Sequence, residues 1–175
     1  MGNVIAAVHC DSDFEIALES TVDTVFDLSP NVMTLKDKVH KAHAKGKKLF
    51  IHMDLAEGIG KDKFGILHAK EMGIDGVIST RTSLIKAARE AEVCTVQRFF
   101  MVDSQSVETT LKTLNISKPN MIELMPGTVG KVISNLKMQM DLPIIAGGLI
   151  ETIEEANEAY KNGAIAISTG KKELW

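Results

Sequence analysis

Short apolar runs punctuate the chain at near-regular intervals, each followed by a longer stretch that mixes apolar and charged positions. The runs are Val4–Val8, Thr24–Leu28, Leu49–Leu55, Gly76–Ser79, Thr95–Val102, Met121–Met125, Pro143–Ala146 and Ala164–Ser168. Each is short enough for a strand and rich in residues that suit a pleated, buried surface. Their starts lie roughly 20–27 residues apart, room for one strand, one helix and two short loops. The stretches between them carry helical signals. Leu35, Val39 and Ala42 form an apolar stripe, with Lys38, Lys41 and Lys45 assigned to the opposite face and Gly46 as the stop. Ser104 is the expected cap of a helix through Leu111, with Val107 and Leu111 four apart. Gly73 and Gly163 stand where helix C-termini favour positive φ. Strands joined by helices pair in parallel, and eight is the number that closes a barrel. The expectation is therefore an α/β chain: one compact (β/α)8 TIM-type barrel over residues 1–175 with short loops. An open doubly wound sheet is the alternative.

Composition narrows the partners. The 175 residues carry a formal net charge of −3, so no global positive field is available to hold nucleic acid. The densest basic stretch is 36–48, with six lysines beside His40 and His43. Lys38, Lys41 and Lys45 on it are the candidates for nucleic-acid phosphate contact, although such a face is more often simply solvated. Cys10 and Cys94 show no metal-ligand spacing and suit a reducing, cytoplasmic setting. Val4–Val8 is too short for a signal peptide or a membrane span. The start Met1-Gly2 suggests myristoylation, but Ala6 stands where that pattern requires Ser or Thr.

The strongest chemical signal is a pair of glycine-bearing turns. Ile144-Ile145-Ala146-Gly147-Gly148 and Ala166-Ile167-Ser168-Thr169-Gly170 both end predicted strands, the seventh and eighth. Barrels often hold a phosphate between these two loops and a short extra helix, for which Lys171–Trp175 is the candidate. Glycine lets backbone N–H groups approach an anion closely. Gly147, Gly148, Ser168, Thr169 and Gly170 are the expected phosphate ligands, joined by Gly127 after strand six. Two small-residue packing turns are the plainer reading.

A second group forms a polar mouth. Strand alternation over Leu49–Leu55 puts His52 and Asp54 inward, with Glu57 in the loop that follows. Buried polar groups need partners or a ligand, and an internal network would satisfy them as well. On strand six, Glu123 can meet Arg98 of strand five. Whether Arg98 or Gln97 points inward stays open, because both faces of that strand are polar. Ser79, in Ser79-Thr80-Arg81, either contacts a ligand or caps the next helix. No zinc spacing, nucleophile elbow, Walker loop or dinucleotide fingerprint is present, and no metal or other cofactor is expected.

The segments IHMDLAEGIGKD, DGVISTR, TVQRFFMVDS, IELMPG, PIIAGGLI and AIAISTGKKELW run from Ile51 to Trp175. In order and spacing they resemble the glycerol-3-phosphate-responsive antiterminators, regulators of bacterial glycerol uptake operons. The stretch before Ile51 matches more loosely, and Gly170 stands where the family carries a small polar residue. The resemblance implies a barrel without catalysis that binds glycerol-3-phosphate and the leader mRNA of glycerol operons, where it prevents early termination. It assigns Gly147, Gly148, Ser168 and Thr169 to the anion loops and Asp54, Glu57, Arg98 and Glu123 to the polar mouth, and it leaves room for a homo-oligomer. The competing reading is an enzyme acting on a small phosphorylated sugar or triose, with Asp54 and Glu123 as acid and base.

Overall fold

A computed structural model describes residues 3–175; the Met1-Gly2 pair weighed for lipidation lies outside them. Eight parallel strands close into a barrel in chain order. They are β1 (Asn3–Val8), β2 (Thr24–Asp27), β3 (Lys48–His52), β4 (Gly76–Ser79), β5 (Cys94–Phe100), β6 (Met121–Met125), β7 (Ile144–Gly147) and β8 (Ala166–Thr169). Seven helices cover the outside: α1 (Asp11–Glu19), α2 (Val32–Ala44), α3 (Lys63–Glu71), α4 (Thr82–Glu90), α5 (Ser104–Ser117), α6 (Gly130–Gln139) and α7 (Ile153–Lys161). After β8 the chain makes only a three-residue 3-10 turn, Lys172–Leu174. The expected short terminal helix is that turn, too short to build a useful dipole. It is pinned by Trp175, whose indole Nε1 donates to the Thr169 carbonyl at 2.8 Å. Among the described residues, no helix is long and apolar enough to cross a membrane.

The period-2 pattern sorts the strands' side chains into two cores. Outward residues such as Val25, Leu49, Ile51 and Val77 pack under α1–α4, while Ile122, Leu124, Ile144 and Ile167 pack under α5–α7. Inward residues fill the barrel: Ile5, Phe26, Phe50, Ile78, Val96, Ile145 and Ala166. Their rings need space that small neighbours supply; a Cβ on Gly76 would sit 2.2 Å from the Phe50 ring. Beyond this apolar plug lie the C-terminal ends of the strands, which is where barrel sites are built.

Two expectations about local structure change. Strand three ends at His52, and Met53–Leu55 form a 3-10 turn, so the alternation that placed Asp54 beside His52 stops two residues short of Asp54. The cap of α5 is Asp103 rather than Ser104: its carboxylate accepts the Ser106 N–H at 2.9 Å in a reciprocal capping box.

Lys38 is a larger correction. It is buried, 6% exposed, and not on a solvated face. It stands three residues after Leu35 and four before Ala42, which puts it at the edge of the apolar stripe. Its ammonium binds Asp27 at 3.0 Å and Asp11 at 2.9 Å and lies 5.4 Å from the Phe14 ring centroid. Lys41 pairs with Glu15 at 2.8 Å and Lys45 with Glu19 at 2.8 Å. Acidic residues spaced four apart on α1 thus meet basic ones on α2.

Candidate functional site

A cavity of about 300 Å³ opens at the C-terminal end of the barrel. That is the lower end of the size range of small-molecule sites. Its floor holds an ion pair. Arg98 and Glu123 are directly opposed on β5 and β6, and the guanidinium Nε donates to Glu123 Oε2 at 2.7 Å. The two side chains are 8% and 1% exposed. Arg98 shares its face with Val96 of the barrel interior, so it is the inward residue of its strand. Gln97 faces the helices, fully buried, with neither amide atom hydrogen-bonded to protein. Glu123 Oε1 is also without a partner. A removed arginine would leave a buried charge unopposed, which is why this pair is costly to break.

The wall is built by the loops after β7 and β8. Gly148 and Leu149 both have positive φ, +72° and +59°. Glycine adopts this freely, but leucine rarely does, so the turn is held in a conformation that local preference opposes. Among the described residues, the N–H groups of Gly148, Leu149, Ile150 and Gly170 find no protein acceptor, and all four residues line the cavity. Unpaired N–H groups clustered in such turns are what an anion requires. Ser168, on the inward face of β8, adds a hydroxyl without a protein partner. His9 and Lys171 stand at the rim.

Other expected phosphate ligands hold the wall in place. The Gly127 N–H is already donated to the Gly148 carbonyl at 2.9 Å, and a Cβ there would lie 2.6 Å from Ile150 Cδ1. Gly127 therefore packs against the loop from outside the cavity. Thr169 Oγ1 donates to the Ile150 carbonyl at 2.7 Å and accepts the Lys171 N–H at 3.0 Å, tying the two loops together. Gly147 makes room for the floor: a Cβ on it would lie 2.3 Å from Glu123 Oε1.

The polar residues over β3 and β4 are arranged differently. Ser79 turns away from the barrel axis with Val77, and its Oγ donates to Asp54 Oδ1 at 2.6 Å. The Thr80 amide and hydroxyl both donate to Asp54 Oδ2 at 2.8 Å. Burial works against the ionised form of Asp54, but these three donors hold its carboxyl below the ordinary value. Glu57 is exposed and accepts from Asn31 Nδ2 at 2.9 Å. Asp54, Ser79 and Glu57 thus clamp neighbouring loops to one another, and none of them lines the cavity. His52 does face inward, 5% exposed, with both ring nitrogens unpartnered. Burial, helped by the nearby Arg98 charge and opposed by Asp54, pushes its pKa down to about 4, so the ring is neutral near pH 7.

Sequence reasoning did not single out Leu149, Ile150 or His9 as site residues, and it named Lys171 only as the start of the expected terminal helix. Each directly follows a flagged motif or ends a barrel strand, and that position was the available signal.

Residues 4–175 match the model of the family described as glycerol-3-phosphate responsive antiterminator. The chain belongs to that family. A solved glycerol uptake operon antiterminator regulatory protein from Listeria monocytogenes superposes with a TM-score of 0.93 at 36% identity, over 99% of this chain and 94% of that one. A glycerol uptake operon antiterminator-related protein from Thermotoga maritima gives a TM-score of 0.88 at 32% identity, over 100% and 99%. An uncharacterized protein of Escherichia coli, YgcP, is 36% identical over 98% of this chain and 91% of its own length. Within this family member, the unspent polar groups at the mouth lie over β5–β8, apart from the buried imidazole of His52 on β3.

Proposed function

We propose that this antiterminator-family barrel is a sensor of glycerol-3-phosphate that binds the leader mRNA of glycerol-uptake operons and works in the cytoplasm without catalysis. The observation that carries the reading is the cluster of free N–H groups on Gly148, Leu149, Ile150 and Gly170 beside the buried Arg98–Glu123 pair. Phosphate docks on the N–H groups and the Ser168 hydroxyl, with Lys171 supplying charge at the rim, while the glycerol hydroxyls meet the floor. The acid–base pair that an enzyme reading needs is not assembled, because Asp54 is consumed by Ser79 and Thr80. The RNA surface lies away from the α2 lysines, which are engaged by Asp11, Asp27, Glu15 and Glu19. Ligand shifts the protein toward the RNA-competent state only by its preference for that state.

Calorimetry with glycerol-3-phosphate tests the ligand half. Saturable binding is expected, lost by at least about 100-fold in Gly148→Val. That side chain would occupy a left-handed position and press on Met125 Cε, which an added Cβ alone approaches to 2.7 Å. No binding by the wild type, or unchanged binding by the variant, overturns the reading. Filter binding of leader RNA with and without the ligand tests the other half.

A further inference from the structure

Glu123 is an unusual group to bury at the floor of an anion site. It is fully buried, and only one of its oxygens is used, in the 2.7 Å bond from Arg98 Nε. Oε1 has no partner, and Glu123 is among the residues that surround the cavity. A carboxylate oxygen can only accept. A buried acceptor left without a donor is expensive, and more so when charged. A ligand that brings an O–H or N–H to this spot supplies the missing donor. Oε1 also sits against Gly147, at the place where a Cβ would come within 2.3 Å. Gly147 immediately precedes Gly148, the first of the free N–H donors. The acceptor thus stands next to the anion loop, and the ligand hydroxyl it reaches is the one nearest the phosphate.

We infer that Glu123 makes the site select a phosphorylated triol over the corresponding ketone, by reading the hydroxyl on the carbon next to the phosphorylated one. A hydroxyl there donates to Oε1 and completes the carboxylate's hydrogen bonding. A carbonyl there places two acceptor oxygens face to face with no proton between them. Arg98 fixes the carboxylate's position through Oε2, and Gly147 supplies the space that lets Oε1 lie beside the loop. The inference rests on the phosphate reading of the loops and adds to it the oxidation state of the ligand: the regulator responds to the reduced three-carbon phosphate and ignores its oxidised counterpart.

The test is calorimetry on the intact protein with glycerol-3-phosphate, dihydroxyacetone phosphate and 3-hydroxypropyl phosphate, which lacks the hydroxyl altogether. Glycerol-3-phosphate is expected to bind at least about 100-fold more tightly than the ketone, as for sites built around a substrate hydroxyl. 3-Hydroxypropyl phosphate falls between them, since it loses the bond without adding an opposed oxygen. In Glu123→Gln, whose amide can also donate, the preference over the ketone shrinks to within about tenfold. Wild-type affinities for glycerol-3-phosphate and the ketone within about threefold of each other (roughly 0.65 kcal/mol or less) overturn the inference while leaving the phosphate site standing. A full preference retained by a folded Glu123→Gln also overturns it. Absence of binding by all three compounds removes the sensor reading and this inference together. The wild-type series decides the matter if the variant does not fold.

Discussion

The two sides of the barrel mouth carry similar polar residues and use them in opposite ways. Over β3 and β4, Asp54, Ser79, Thr80 and Glu57 spend their hydrogen bonds on one another and on Asn31. Over β5–β8, Glu123 keeps one oxygen free, Ser168 keeps its hydroxyl free and four backbone N–H groups lack acceptors. The first arrangement stiffens loops, and the second waits for a ligand. A polar side chain at the end of a barrel strand thus says little until its partners are counted. Stability should therefore depend on the β3–β4 clamp, and affinity on the β5–β8 wall and floor.

The largest effect is expected where the two roles coincide. Arg98→Met leaves Glu123 buried and unopposed and should cost about 3–5 kcal/mol in urea denaturation, together with loss of ligand binding. A variant as stable as the wild type would show that the pair is not the anchor of the floor. Next comes His52, buried at the end of β3 with both ring nitrogens unpartnered. Its pKa of about 4 lies below the ordinary 6.5, so between those values the unfolded chain takes up a proton that the native protein refuses. Stability present above pH 6.5 should fall by at most about 3 kcal/mol as pH drops to 4, then level off with respect to this group. In His52→Gln that part of the pH dependence should vanish, as read from denaturation midpoints.

A smaller change should separate clamp from wall. Asp54→Ala strands the Ser79 and Thr80 donors and should destabilise by about 2 kcal/mol, while glycerol-3-phosphate affinity stays within about threefold. A large loss of affinity in the folded variant would mean that Asp54 belongs to the ligand site after all. The smallest effect belongs outside the mouth. Lys41→Ala should change stability by less than about 1 kcal/mol, because its pairs with Glu15 and Asp37 are half-exposed. It should leave leader-RNA affinity and its salt dependence unchanged; a clear drop in either would return the α2 face to consideration.

Much of the architecture was legible in the residues themselves. Apolar runs of strand length, repeated eight times with helical stretches between, correspond to the eight strands of the closed barrel, and the alternation in β6 put Glu123 within reach of Arg98, although two polar faces on β5 left the choice between Arg98 and Gln97 to the structure. The turns Ala146-Gly147-Gly148 and Ser168-Thr169-Gly170 were visible as places where backbone could be reached. Strand three was read too long because Met53 and Leu55 continue the apolar alternation, yet the chain turns there to bring Asp54 over Ser79 and Thr80. Lys38 was misplaced because a helical stripe has edges, and a lysine at an edge is buried if a neighbouring element offers carboxylates. Asp11 and Asp27 do so, and no pattern within α2 could reveal it.

The sequence by itself determined the order of strands and helices, the inward and outward faces of most strands and the loops in which glycine bares the backbone. These follow from local periodicity and from the few conformations each residue type prefers. Only the tertiary structure decided which polar groups remain unspent. Asp54 meets Ser79 across 25 positions, Arg98 meets Glu123 across 25, and Thr169 meets Ile150 across 19. Whether such a meeting exhausts a group or leaves one lone pair free depends on geometry of a few tenths of an ångström at the closed mouth, and barrel closure sets that geometry.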